Sequence, residues 1–206
     1  MPEACRIKCC GMIREEDISA VNAARPDMVG FVVDFPRSHR SVLPERLAEL
    51  VMLVDEGICR VGVFVDEPVE TVADLAASGL IDMAQLHGHE DGDYVAELRR
   101  AVPGTRIIQP FKVRSGEDIE RAEASSADMV LLDNGQGTGE RFDWTLVRSV
   151  TRPFMLAGGL TPENVGEAIT AVHPWGVDLS SGLETGRLKD AEKIAAAVRA
   201  VRSLGN

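Results

Sequence analysis

The sequence has no apolar run approaching the ~20 residues that a membrane span requires. Its first residues, MPEACRIKCCG, carry neither the basic start nor the apolar core of a secretion signal. A cytoplasmic protein with no membrane partner is therefore expected. Positive charge is also short: 22 Lys and Arg stand against 33 Asp and Glu, a formal net charge of -11. That balance opposes nucleic acid, whose partners usually present a basic face. A small anion is still admissible, because a few backbone amides and helix starts can hold one phosphate against an unfavourable overall charge. Cysteines are few (Cys5, Cys9, Cys10 and Cys59), and in a reducing compartment they are expected as free thiols. Three of them crowd into six residues, but Cys5 and Cys10 form no C-x2-C pair and no His pair follows at ligand spacing, so no metal is expected. The G-x-S-x-G and H-E-x-x-H patterns are missing too, which leaves hydrolase and metalloprotease readings without support.

What is present is a regular alternation along all 206 residues, with no linker, low-complexity tract or change of composition. Apolar residues make up 45% of the chain and charged residues 27%, ordinary values for one globular domain, here taken as residues 1–206. Eight short, β-branched runs read as strands: Arg6 to Cys10, Met28 to Val33, Arg60 to Val65, Met83 to Leu86, Arg106 to Lys112, Met129 to Asp133, Phe154 to Ala157 and Gly176 to Leu179. Each is followed by a helical stretch. These run from about Glu15 to Ala24, Pro44 through Val54, Val69 to Ser78, Tyr94 to Ala101, Ser115 to Ser125, Thr145 to Val150, Thr161 to Val172 and Ala191 to Val201. Pro44 suits a first helical position, Ser115-Gly-Glu-Asp118 has capping-box spacing, and Thr161-Pro-Glu-Asn reads as an N-cap with proline behind it. Strands apolar on both faces, in units of roughly 25 residues, predict a (β/α)8 TIM barrel; an open doubly wound sheet would need two more polar edge strands.

Such barrels carry their chemistry at the C-terminal ends of the strands. The polar residues there are Lys8, Cys10, Arg37, Arg40, Asp66, His87, Lys112, Asp133, Asp178 and Ser180. After strands seven and eight come Leu156-Ala-Gly158-Gly159-Leu160 and Asp178-Leu-Ser180-Ser181-Gly182-Leu183. Glycines let backbone amides approach an anion, and these two loops are the usual phosphate cradle of the architecture, although Gly-Gly can also simply make a tight turn. Alternation puts Lys8 and Cys10 on one face of the first strand and Asp178 and Ser180 on one face of the eighth, its neighbour once the barrel closes. Lys8 is therefore expected beside Asp178, with its charge lowering the pKa of Cys10.

At these positions the sequence resembles the phosphoribosylanthranilate isomerase family of tryptophan biosynthesis. The resemblance is an ordered series: IKCCG at Ile7 to Gly11, FPRSHR at Phe35 to Arg40, VGVFV at Val61 to Val65, QLHG at Gln85 to Gly88 and LLD at Leu131 to Asp133. It continues with GTGERFDW at Gly137 to Trp144, LAGGLTPENV at Leu156 to Val165 and GVDLSSGLE at Gly176 to Glu184. It implies a cofactor-free Amadori rearrangement of N-(5'-phosphoribosyl)anthranilate to the 1-deoxyribulose 5-phosphate derivative. By the motif matches Cys10 is the base and Asp133 the acid; Lys8, Arg40, His87 and Asp178 contact substrate; and Gly158, Gly159, Ser180, Ser181 and Gly182 hold its phosphate. These roles require a protonated Asp133 and a partly ionised Cys10. Arg40 matches the family arginine that contacts the anthranilate carboxylate, as a planar two-toothed donor can. Asp143 and Trp144 are expected to anchor a loop, Cys9 to pack on the opposite face from Cys10, and Arg37 to be a solvated charge as readily as a contact.

The chain departs from the family where Ser38-His39-Arg40 replaces the usual Ser-Pro-Arg, which is expected to free that loop and loosen the pose of Arg40. A dual-specificity or histidine-pathway sugar isomerase is the nearest rival, although Cys10 stands where those enzymes resemble one another in having Asp. A non-catalytic paralogue that binds a sugar phosphate is a second. A synthase acting on the next intermediate would want a Lys and paired Glu that have no match here. Partners are thus a phosphorylated small molecule and, for the chain itself, either no second copy or one, as monomer or homodimer.

Overall fold

The computed structural model describes residues 4–133 and 144–204. Eight parallel strands close on themselves: β1 (Arg6–Cys10), β2 (Met28–Val33), β3 (Cys59–Phe64), β4 (Met83–Leu86), β5 (Arg106–Lys112), β6 (Met129–Asp133), β7 (Phe154–Ala157) and β8 (Gly176–Leu179). Neighbours in sequence pair in order, and β1 pairs with both β2 and β8, which seals the barrel. Among the described residues eight α-helices alternate with them: α1 (Glu15–Ala24), α2 (Pro44–Val51), α3 (Val69–Ala77), α4 (Gly92–Ala101), α5 (Gly116–Glu123), α6 (Trp144–Val147), α7 (Val165–Val172) and α8 (Ala191–Arg202). This is the expected TIM barrel. A two-residue strand, Ser41–Val42, adds to β2, and a small hairpin joins Glu184–Thr185 to Leu188–Lys189 after β8.

Local chemistry explains where the helices begin. Pro44 occupies the first turn of α2, where a missing N–H costs nothing. Asp91 and Asp190 accept hydrogen bonds from the first amides of α4 and α8, and Ser115 with Asp118 forms the expected capping box of α5. The start of α7 differs from expectation. The carbonyl of Thr161 accepts from both Asn164 and Val165, and Asn164 Oδ1 accepts from the Thr161 amide at 2.8 Å. Thr161-Pro162-Glu163 is thereby wound into a turn, and the helix proper begins at Val165.

Two apolar layers hold the barrel. Outward strand residues such as Ile7, Val29, Phe31, Val130 and Leu132 pack under the helices. Inward residues Met28, Val61, Met83, Ile108, Met129 and Met155 fill the lower barrel, and Leu131 of the same cluster reaches the cavity above. Among them the inward set turns polar: Lys8 on β1, in register with Met28 on β2, is opposite Asp178 on β8, and Gln85 on β4 is buried beside Lys8. Polar groups in an otherwise apolar interior must satisfy one another, and this belt forms the floor of the site.

Candidate active site

Above that floor, at the C-terminal ends of the strands, lies a cavity of about 370 Å³. Cys10, Arg40, His87, Lys112, Asp133, Gly158, Gly159, Asp178, Ser180 and Ser181 all line it, among apolar walls that include Phe35, Val63 and Leu131. Residues from all eight strands or their loops therefore meet in one place. Among the described residues no group of three or more His, Cys, Asp and Glu is arranged to hold a metal ion, and no helix is long and apolar enough to cross a membrane.

Lys8 does not line this cavity. It lies beneath the cavity, shut off from solvent, with Nζ 2.8 Å from both Asp178 Oδ2 and Gln85 Oε1. Burial disfavours its charge, but Asp178 and then Cys10 outweigh that and hold its pKa above the ordinary value. Both partners, Gln85 and Asp178, line the pocket. Asp178 Oδ2 accepts from Lys8, while Oδ1 is buried without a partner among the described residues.

The expected lowering of the Cys10 pKa is overturned in its net direction. Lys8 does favour the thiolate, and Lys189 adds to it, but loss of water around a side chain 6% exposed dominates and Asp178 works against ionisation. The thiol is pushed up. Its position is set by a close approach: a Cβ on Gly30 of β2 would come within 2.7 Å of Cys10 Sγ and 3.0 Å of Lys8 Cε. Cys9 faces the opposite way into the strand–helix core, with its thiol raised by burial to about 12.

The FPRSHR loop is better tied than the missing proline suggests. Ser41 Oγ accepts from the Phe35 amide, Ser38 Oγ from the Arg40 amide, and the Ser38 amide closes a turn onto the Phe35 carbonyl. Arg40 is clamped by Glu184, Nε to Oε1 at 2.5 Å and Nη2 to Oε2 at 2.9 Å. Glu184 also takes a bond from the buried Lys189 at 2.7 Å. Burial works to raise the Glu184 carboxyl, and the hydrogen bonds and charges of Arg40 and Lys189 outweigh it, bringing it down to about 2. His39 places Nε2 3.5 Å from the same carboxylate. Arg37 is exposed and does not line the cavity, and Asp66 is turned aside onto His89.

In the two Gly-rich loops, Gly158 and Gly159 take positive φ of 94° and 64°, values that a side chain would resist. Both line the cavity with Ser180 and Ser181. Gly182 does not: a Cβ there would strike the Leu160 carbonyl oxygen, so its bare Cα is what lets the β8 loop pack on the β7 loop. Ser180 Oγ donates to the Cys10 carbonyl at 3.1 Å, which couples this loop to the strand bearing the thiol.

The His87 ring reaches solvent through the pocket mouth but is enclosed by protein elsewhere. Burial and then the Lys8 charge hold its pKa below that of an ordinary imidazole, against the opposing pull of Asp133 and Asp178. Sequence reasoning missed Gln85 and Glu184 as site residues. Both stand inside quoted motifs, two residues before His87 and three after Ser181, but their roles depend on partners 77 and 144 residues away. The segment from Gly137, including Asp143, falls outside the described residues up to Trp144.

Comparison with known proteins places this geometry. A family model described as N-(5'phosphoribosyl)anthranilate (PRA) isomerase matches residues 7–200. The N-(5'-phosphoribosyl)anthranilate isomerase of Endomicrobium trichonymphae is 38% identical over 204 residues, 97% of this chain and 99% of that one. A solved phosphoribosyl anthranilate isomerase in complex with reduced 1-(o-carboxyphenylamino)-1-deoxyribulose 5-phosphate superposes with a TM-score of 0.84 at 33% identity, over 97% of this chain and 99% of that chain. So does a structure of monomers generated from the dimeric enzyme of Thermotoga maritima, also at 0.84 and 33%, with the same coverage.

Proposed function

This chain belongs to the N-(5'-phosphoribosyl)anthranilate isomerase family, and from that premise we propose that its strand-end cavity isomerises the substrate with Cys10 as base and Asp133 as acid. The reaction is the Amadori conversion of N-(5'-phosphoribosyl)anthranilate to 1-(2-carboxyphenylamino)-1-deoxyribulose 5-phosphate, an isomerase step of tryptophan biosynthesis. The single observation that carries the residue assignment is that Cys10 and Asp133, from β1 and β6, line one cavity together with both Gly-rich loops.

In this reading the Gly158–Gly159 and Ser180–Ser181 segments take the phosphate and Arg40 faces the anthranilate carboxylate. Asp178 Oδ1, buried and unpartnered, accepts from a ribose hydroxyl. Asp133 gives its proton to the ring oxygen as the C1'–O bond breaks, and the nitrogen lone pair forms the C1'=N iminium. Cys10 thiolate then takes the proton from C2', giving the enolamine. Tautomerisation returns a proton to C1' and leaves the ketone at C2', so the product is an isomer and no cofactor is consumed. The iminium supplies the positive charge that a thiol raised by burial requires, since an adjacent cation favours the ionised form.

Every residue named comes from one chain, so monomer and homodimer are equally compatible with the reading. The test is to generate the labile substrate in place and follow loss of its fluorescence. Turnover by wild type, abolished in Cys10→Ala and in Asp133→Ala, supports the assignment; turnover by the double variant defeats it.

A further inference from the structure

We propose that Gln85 is a positioning residue: it carries the fixed polarity of the Lys8 ammonium to His87 and keeps His87 a neutral donor into the pocket through Nε2–H. The inference rests on the isomerase reading only for what the donor meets, a substrate oxygen.

The argument is one of donors and acceptors. An ammonium has three N–H groups and no acceptor. Lys8 Nζ sits 2.8 Å from the Gln85 side-chain amide, and both residues are sealed from solvent. The amide must therefore turn its oxygen to Lys8, because the flipped amide would set donor against donor. Its NH2 is then the group 3.0 Å from His87 Nδ1. A donated N–H requires a lone pair, so Nδ1 is bare and the ring proton is on Nε2. Asp178, at 2.8 Å from Lys8, anchors the charge that starts the sequence. Lys8, Lys112, Asp133 and Asp178 are the charged groups around the ring, and burial together with Lys8 keeps it neutral. His87 so arranged cannot accept the C2' proton through Nδ1 and offers no free lone pair at Nε2. It is a hydrogen-bond donor, which leaves base chemistry to Cys10.

The experiment uses the full chain labelled with 15N-histidine, without ligand. Four imidazoles give signals, and His87→Asn identifies the one from His87. The expected result is a bare Nδ1 and a protonated Nε2 at neutral pH. Gln85→Met should mix the tautomers and lower kcat/KM about tenfold, chiefly through KM, as expected for loss of one neutral hydrogen bond. Gln85→Glu keeps the shape and an oxygen for Lys8 but offers an acceptor to Nδ1, so His87 should hold a proton there and titrate at higher pH. A proton on Nδ1 in wild type, or an unchanged tautomer in folded Gln85→Met, overturns the proposal; if Gln85→Met fails to fold, the wild-type and Gln85→Glu spectra decide it. The tautomer is observed without turnover, so an inactive enzyme with the expected spectrum counts against the isomerase reading and not against this one.

Discussion

Lys8 Nζ lies 2.8 Å from Asp178 Oδ2, across the seam where β1 and β8 close the barrel, with the two side chains 0% and 9% exposed. A buried ion pair adds little over an apolar pair of the same volume, but breaking one strands the remaining charge. Asp178→Asn should therefore cost about 3–5 kcal/mol, measured from urea unfolding. Lys8→Met made in the same chain should recover much of it, because the stranded charge is removed. A double variant whose loss equals the sum of the two singles would show that the pair is not coupled.

Cys10 gives a prediction about ionisation. Burial raises its thiol against the help of Lys8, so site-resolved alkylation in the empty enzyme should titrate with a midpoint above the ordinary ~8.5. Lys8→Met should move it higher still. Cys10→Ala should lower kcat by roughly 10²–10⁴, the usual contribution of a positioned base. A midpoint below the ordinary value would contradict the dominance of burial over the lysine.

Much of this was legible in the sequence, and the boundary between what was and was not is physical. Strand ends such as Cys10, Lys112 and Asp133 fall where the apolar runs stop, because a strand buried on both faces must stay apolar until it reaches the rim. Period-two alternation was enough to pair Lys8 with Asp178. Alternation cannot report depth, however. It placed Lys8 on the correct face but not below the cavity, and it gave the sign of the lysine's effect on Cys10 without the larger desolvation. Gly182 looked like its neighbours in the loop, and only its approach to Leu160 separates a packing role from phosphate binding.

Glu184 makes the Arg40 clamp pH-dependent. Its folded carboxyl is held down to about 2 from an ordinary 4.5. A depressed acid stabilises fully above its unfolded pKa and loses that contribution as pH falls toward the folded value. Between about pH 4.5 and 2 the wild type should thus lose stability that Glu184→Gln never had, and the two denaturation curves should converge. At neutral pH Glu184→Gln should raise KM with less effect on kcat, since it loosens an arginine that lines the cavity and neither of the residues proposed as acid and base. Parallel acid profiles for the two proteins would remove the clamp.

Two glycines should separate chemistry from binding. A methyl on Gly30 would meet Cys10 Sγ at 2.7 Å, Lys8 Cε at 3.0 Å and the Cys10 Cα at 3.2 Å. The thiol is at the end of a short side chain in a packed wall and must shift by some tenths of an ångström, where a misplacement of ~1 Å can cost about 10² in rate. Gly30→Ala should therefore depress kcat. A methyl on Gly182 meets backbone, the Leu160 carbonyl, which can yield only if the β7 and β8 loops part. Both loops line the end of the cavity assigned to phosphate, so Gly182→Ala should raise KM steeply and weaken inhibition by inorganic phosphate in parallel. If Gly30→Ala acted on KM alone, or Gly182→Ala on kcat alone, the division of the cavity into a thiol end and a phosphate end would be wrong.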